Sequence, residues 1–529
     1  MSDFTQWRVS TLAFVPAAAH EHPLDVVLTA EFSGPDGAVL RVPGFYDGAG
    51  WQVRMTPTLP GEWTYRTVCA EDSGLDGQTG SFTVRRADGA NPLYRHGGFL
   101  RVSKNHRHLT YADGTPFFWL GDTWWFCPSH LMPFDGSNRP EIPSMYRALI
   151  DRRAAQGFSV VQWAFLGSSG VGGMYSDLYT GAFNAAYWDG VDRYVAYANN
   201  AGIIPVIGLG FHHGLDIPTP DELWAAWRYV VARYGAYAVG WLICGEYNLA
   251  SDEGKYTETD LARIERVLAL GQRIKDHDPY RRAMTVHPWW HGGDQRQAWT
   301  QPWYDFIMLQ GGHMESGPAA EFYRTIYAGN PSLPLLEAEV TYEGIFGFSD
   351  AVVRRNAYKA IQSGSFGFTY GAHGLWYPTQ DEEDDKFSNW GATIPWWDAM
   401  HLPGAAQLGN LRRCYESVDW WTLQPCDAAG FISTTRECFA KANNRVAVLY
   451  LGAGDGAVTL KDAYTITLFN PRTGEFGETD STTPALDEQD WVIILRKVPG
   501  SDFRTIWAGE CPHEPTLGGD DISRIRPVR

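Results

Sequence analysis

Between residues 117 and 370 the chain alternates, eight times over, a short apolar run with a stretch of helical periodicity. The runs are Phe117 to Asp122, Phe158 to Ala164, Ile203 to Leu209, Val239 to Cys244, Arg282 to His287, Tyr304 to Leu309, Leu333 to Glu339 and Phe366 to Tyr370. Runs that are mostly apolar on both faces read as parallel strands covered by helices. Between them, Leu261, Ile264, Val267, Leu268 and Ile274 keep a 3.6-residue stripe, as do Val353, Ala357, Ala360 and Ile361 further on. Thr257, followed by Glu258 and Asp260, predicts the capped start of the first of these helices. Eight such units predict a (β/α)8 TIM barrel, whose active site gathers at the carboxyl ends of the strands.

At 529 residues the chain exceeds what one core organises, so further domains are expected. The first ninety-odd residues alternate β-rich runs such as Leu24 to Phe32 with turn clusters at Gly34-Pro-Asp-Gly and Leu59-Pro-Gly. Beyond Pro425 the pattern is again short strands, at Arg445 to Leu451, Ala463 to Phe469 and Trp491 to Leu495. Both patterns predict antiparallel sandwiches. The expected organisation is therefore α/β: an N-terminal β-sandwich over residues 1–97, the catalytic barrel over 98–425, and a C-terminal β-sandwich over 426–529.

A formal net charge of −18 argues against nucleic acid or an anionic membrane as partner, because long-range repulsion opposes the encounter. The 23 Trp, 26 Tyr and 26 Phe supply flat rings that suit sugar faces as well as cores. A carbohydrate is the expected partner, and self-association is left open. The seven cysteines form no Cys-x-x-Cys pair, so they read as reduced thiols without a disulfide framework or zinc site. No cofactor is expected. The N-terminus lacks a basic segment followed by an apolar stretch, which points to a cytoplasmic location.

Two of the apolar runs end in carboxylates: Ala238-Val-Gly-Trp-Leu-Ile-Cys-Gly-Glu-Tyr-Asn248 and Leu333-Pro-Leu-Leu-Glu-Ala-Glu-Val-Thr-Tyr-Glu343. As fourth and seventh strands they would aim Glu246 and Glu339 into one pocket, the arrangement that glycosidic cleavage requires. Either glutamate could instead be a solvated loop acid. Glu337 shares a face with Glu339 and competes with it, while Glu343 could bind substrate hydroxyls or support Glu339. Other strand ends supply substrate-binding candidates: Asp122, Trp124 and Trp125 at the first, Gln162 and Trp163 at the second, His212 and His213 at the third, and Asn248 at the fourth. His287 and Trp289 follow the fifth strand, Gln310 and His313 the sixth. Tyr342 could hold Glu339 ionised or simply pack, and Tyr370, His373 and Trp376 at the eighth could wall the site or fill the barrel. The two adjacent histidines do not suggest a metal, because neighbours on a strand face opposite ways and no His-x-x-x-His helix follows. The run Asp381 to Asp385 reads as a solvated face.

Four stretches carry a resemblance: Gly114-Thr-Pro-Phe-Phe-Trp-Leu-Gly-Asp-Thr-Trp-Trp125, Gly245-Glu-Tyr-Asn248, Glu339-Val-Thr-Tyr-Glu343 and Tyr370-Gly-Ala-His-Gly-Leu-Trp376. Together they resemble the apiosidase-like glycoside hydrolases. Residues 1–97 resemble the sandwich that often precedes that barrel, and Tyr464 to Gly474 resembles a C-terminal domain once labelled collagen-binding. Through the relation of that family to clan A retaining glycosidases, the resemblance implies Glu246 as acid/base, Glu339 as nucleophile, and a furanosyl-terminated plant or microbial glycan as substrate, with apiose one candidate. Gly245 departs from the Asn that many clan A members place before the acid/base. Glu246 is longer than the Asp that the family can carry there. An inverting glycosidase and a non-catalytic carbohydrate-binding or adhesion protein are the alternative readings.

Overall fold

The computed structural model describes residues 3–164, 183–212, 215–216, 218–252, 255–289, 295–384, 386–461 and 464–498. At its centre seven parallel strands form one sheet, in the order Gly240–Gly245, Ile204–Phe211, Val160–Ala164, Trp119–Thr123, Ser365–Tyr370, Leu335–Val340, Ile307–Gly312. Nearly every residue of these strands is buried, because helices cover the outer face and side chains fill the inner one.

The fifth predicted strand is the exception. Arg282 to His287 is not a regular strand; it contributes a single parallel bridge, Met284 to Trp241. It nonetheless fills the gap between the two end strands. Thr285 N donates to Trp241 O at 3.2 Å and His287 N to Cys244 O at 3.1 Å, while on the other side Asp305 N donates to Met284 O at 3.0 Å and Thr285 Oγ1 to Phe306 O at 2.9 Å. The sheet thus curls as in a TIM barrel, with one irregular stave. Arg282 explains part of the irregularity: its guanidinium is buried and held by Asp278 and by the Tyr237 and Val239 carbonyls, so this segment begins as an anchor.

The helices follow the expected patterns with local shifts. Glu258–His277 opens on a capping box, Thr257 accepting from Asp260 N while the Asp260 carboxylate accepts from Thr257 N. Its buried stripe runs through Ile264, Val267, Leu270 and Ile274, and Leu261 lies off it, 46% exposed. Asp350–Gln362 buries Val353, Ala357, Ala360 and Ile361. No helix among the described residues is long and apolar enough to cross a membrane.

Antiparallel sheets flank the barrel. At the N-terminus a five-stranded sheet faces a three-stranded one, with Phe32, Trp51, Val53, Trp63 and Phe82 between them. Arg54, from the smaller sheet, ion-pairs with Asp192, which also receives Arg233 Nε at 2.9 Å and so ties the sheet to two barrel helices. At the C-terminus a six-stranded sheet uses its two faces differently. In Val446–Leu451 and Trp491–Lys497, Val448, Tyr450, Val492 and Ile494 pack on the barrel, while Ala447, Leu449, Leu451, Ile493 and Leu495 build a separate small core.

One buried ion pair sets the first strand. Arg153, from the helix Met145–Ala155, reaches Asp122 Oδ2 at 2.6 Å, and both side chains are fully buried. Burial pushes the Asp122 carboxyl up, and the guanidinium offsets this. Arg153→Met leaves that acid without its partner and is expected to lower stability by about 3–5 kcal/mol in urea unfolding. Adding Asp122→Asn should restore part of the loss; no recovery in the double variant would show that the pair is not the cause.

Candidate active site

The two carboxylate strands reach the barrel mouth through register breaks. Opposite Ile204–Phe211, the partner of Ile207 is Trp241 but that of Gly208 is Ile243, so Leu242 is extra. Between Ile307–Gly312 and Leu335–Val340 the pairs are Leu309 with Glu337, Gln310 with Glu339, and Gly312 with Val340; Ala338 and then Gly311 are therefore extra. Such bulges re-aim side chains next to sites. Left-handed backbone accompanies them, at Ile243 (φ 54°), Glu246 (φ 49°) and Thr341 (φ 48°), a conformation that costs non-glycine residues energy and that clusters at functional positions.

Glu337 makes the second break tenable. Its Oε1 accepts from the N–H of Gly311 and of Glu339, each at 3.1 Å, and its Oε2 accepts from Tyr323 Oη at 2.7 Å. The extra residue's amide is thereby satisfied. A Cβ on Gly311 would come within 2.7 Å of Glu337 Oε2 and 3.0 Å of the Pro318 ring, so a larger residue would displace the carboxylate that accepts its amide. Burial raises the Glu337 pKa to about 7, and the side chain is wholly enclosed.

This arrangement turns Gln310 and Glu339 into the same pocket as Glu246. Gln310 Nε2 donates to Glu246 Oε1 at 3.1 Å and to Glu339 Oε1 at 2.9 Å. One nitrogen touching both carboxylates brings the two side chains together at the barrel mouth. His287 Nε2 lies 3.2 Å from Glu339 Oε2, and His313 Nε2 lies 3.2 Å from Glu339 Oε1. Burial alone would raise the Glu339 pKa, but the two imidazoles outweigh it and hold this carboxyl far below its ordinary range. Glu246 is more open, its side chain 21% exposed, with His212 Nδ1 at 3.5 Å from Oε2. Trp125 packs edge-on against His287 and Phe211, each at 5.1 Å. Tyr342 lies against His313, its ring 4.5 Å away. Burial, then the Glu339 charge, keeps the Tyr342 phenol protonated.

The unusual Gly245 has a steric cause. A Cβ there would sit 2.6 Å from the Phe211 ring. Asn248 is buried, and its Oδ1 accepts from Trp289 N at 2.8 Å, so it shapes the loop after Glu246.

Several expected substrate ligands are committed elsewhere. Asp122 accepts from Arg153, from Trp124 Nε1 at 3.0 Å and from Thr123 N at 2.9 Å, and is fully buried, which removes it from contact with a sugar. Trp124 and Trp163 are likewise buried, each packed against Tyr146. Gln162 sits inside the barrel, with Nε2 3.3 Å from Thr123 Oγ1. Glu343 accepts from Tyr370 Oη at 2.6 Å and from Gly404 N at 3.0 Å, so this buried acid caps the helix Pro403–Glu416, and Tyr370 serves it rather than a sugar wall. His373 is buried, and burial lowers its pKa. Trp376 is partly exposed in a cluster with Phe387 and Trp390, at 4.6 and 5.8 Å. His213 lies outside the described residues.

Two aromatics absent from the sequence reading complete the mouth: Trp390, whose ring is 5.2 Å from His313, and Phe346 beside it. Neither stands at a strand end. The local signal was the pair of glycines framing Gly344-Ile-Phe-Gly347.

Comparison with known proteins places these features. A family described as apiosidase-like, catalytic domain, matches residues 103–422, and a domain of unknown function, DUF5060, matches residues 3–70. No curated protein matched the chain. Among solved structures, a protein of Bacteroides vulgatus assigned provisionally to the glycoside hydrolases aligns at a TM-score of 0.71 with 17% identity, covering 94% of this chain and all of that one. A family 5 glycoside hydrolase from the same species aligns at 0.64 with 22% identity, over 79% of this chain and 96% of that one. A third, named only as a glycoside hydrolase, aligns at 0.63 with 23% identity over 79% of this chain. At these identities the likeness is one of fold.

Stability should report the enclosed acid. Glu337 has a folded pKa of about 7 against a reference of 4.5, so between those values the native state keeps a proton that the unfolded chain has lost, and stability falls as pH rises through that window. Glu337→Gln keeps an acceptor for both amides and removes the titration. Its stability relative to wild type should rise by about 2 kcal/mol between pH 4.5 and pH 7 in urea unfolding. Parallel pH profiles for the two proteins would contradict this account.

Proposed function

The chain belongs to the apiosidase-like glycoside hydrolases, and on that premise we propose that it works by retaining double displacement, with Glu339 as nucleophile and Glu246 as acid/base. The observation that carries this reading is the Gln310 amide held between the two carboxylates. With the two N–H bonds of a planar amide roughly 120° apart and each aimed at its acceptor, the accepting oxygens would lie about 5 Å apart. Retaining enzymes use a separation of roughly 5–5.5 Å and inverting ones about 6.5–9.5 Å.

The electrostatics fit the two roles. His287 and His313 both turn Nε2 toward Glu339, and a nucleophile must be ionised to attack. In the first step Glu339 bonds to the anomeric carbon as the glycosidic C–O bond breaks, and the leaving oxygen takes the proton of Glu246. In the second, Glu246 takes a proton from water, the new hydroxyl bonds to the anomeric carbon, and the Glu339 carboxylate departs. Glu246, with the more exposed side chain of the pair, has the access to leaving group and water that this requires. A furanosyl-terminated neutral glycan is the proposed substrate, on the family relation.

A panel of aryl and natural glycosides, read by reducing-sugar release and by NMR of the first anomer formed, tests the proposal. Glu246→Gln should lower kcat/KM by at least roughly 10²-fold on substrates with poor leaving groups, and Glu339→Gln should abolish turnover. The product should keep the substrate's anomeric configuration. Full turnover in either variant would remove its assigned role, an inverted anomer would favour single displacement, and no turnover by the wild type would favour the binding-protein alternative.

A further inference from the structure

Phe346 is held where a large apolar side chain is least expected. It follows the nucleophile's strand in the turn Ile345–Gly347, where Phe346 and Gly347, like Gly344 just before them, have left-handed backbone, at φ 51°, 80° and 86°. That region is disfavoured for an aromatic residue, and here it leaves the ring 55% exposed. The ring is not isolated. It lies nearly parallel to the indole of Trp390, with 9° between the planes and 5.9 Å between centroids.

The loop that carries Trp390 is shaped to meet this turn. Gly391 has φ 135°, and a Cβ on it would approach Phe346 N to 2.9 Å, so a larger residue would force the two loops apart. Trp390 packs against Trp376, and Trp376 against Phe387. The indole also meets His313 edge-on, and that imidazole touches Glu339. A single imidazole thus separates the aromatic pair from the nucleophile.

We propose that Phe346 and Trp390 form a binding subsite for a sugar ring adjoining the one whose bond is cleaved, so that the site takes glycans of two or more units. The inference rests on the hydrolase reading of the carboxylate pair, since it is their position that defines the neighbouring unit. The chemistry favours a sugar over other occupants. One face of a sugar ring is made of C–H groups and stacks on flat rings, while its hydroxyls stay hydrated at the rim.

The experiment uses the full chain carrying Glu246→Gln, titrated calorimetrically with mono-, di- and tetrasaccharides of arabinose, xylose, galactose, glucose and galacturonate. Binding should strengthen at least roughly fivefold from mono- to disaccharide in at least one series. Adding Phe346→Ala should reduce that gain to less than about twofold, and Phe346→Tyr should preserve it. Because Phe346 is exposed, the alanine variant should keep the wild-type melting temperature, which separates loss of the subsite from loss of the fold. Absence of any length dependence, or a dependence that survives Phe346→Ala, would overturn the proposal. Full turnover in Glu246→Gln would instead fault the catalytic assignment, and it is read in a separate assay.

Discussion

Much of the site depends on a carboxyl group that never meets solvent. Where the sixth and seventh positions of the barrel slip by a residue each, an amide of the ladder loses its partner, and a buried amide without one costs about 1–3 kcal/mol. Glu337 accepts that amide together with the one of Glu339. The slip can then persist, and with it the inward turn of Gln310 and Glu339. The acid chemistry at the surface of the mouth is supported by a second acid beneath it whose work is hydrogen bonding. Their environments push the two apart: enclosure keeps Glu337 protonated into the neutral range, while two imidazoles keep Glu339 charged.

The same economy recurs around the barrel. Asp122 and Arg153 satisfy each other in the interior, and Glu343 joins Tyr370 to the first turn of the Pro403–Glu416 helix. A carboxylate at a helix N-terminus meets unpaired amides and the positive end of the dipole. Polar residues at strand ends therefore divide into those that hold the frame and those that face the cavity. Strand position alone does not distinguish the two.

This division explains what could be read from the sequence. Periodicity located the strands and helices, because burial on one stripe or both faces leaves a compositional trace, and the Thr257 cap is a purely local signal. The convergence of positions 246 and 339 followed from counting strands. What periodicity could not supply were partners distant along the chain. Arg153 lies thirty-one residues from Asp122, and Gly404 sixty-one from Glu343, so both acids looked available for substrate. Nor could it show the extra residues Ala338 and Gly311, which read as ordinary strand. The Arg282 to His287 run has a strand's composition, yet its first side chain anchors elsewhere, and the ladder there is reduced to one bridge. Phe346 and Trp390 sit in loops, where no period exists to mark them.

The link through Arg54 bears on how small a working version of this enzyme can be. Its guanidinium shares Asp192 with Arg233 and lies 4.8 Å from the Phe45 ring, which also covers Arg233 at 5.0 Å. Trimming the chain to its barrel would strip an aromatic roof from Arg233 and take away half the positive charge that Asp192 was built to hold. A barrel freed of the leading sheet would therefore lose an ion-pair partner for Asp192 and a ring over Arg233, and stability with them.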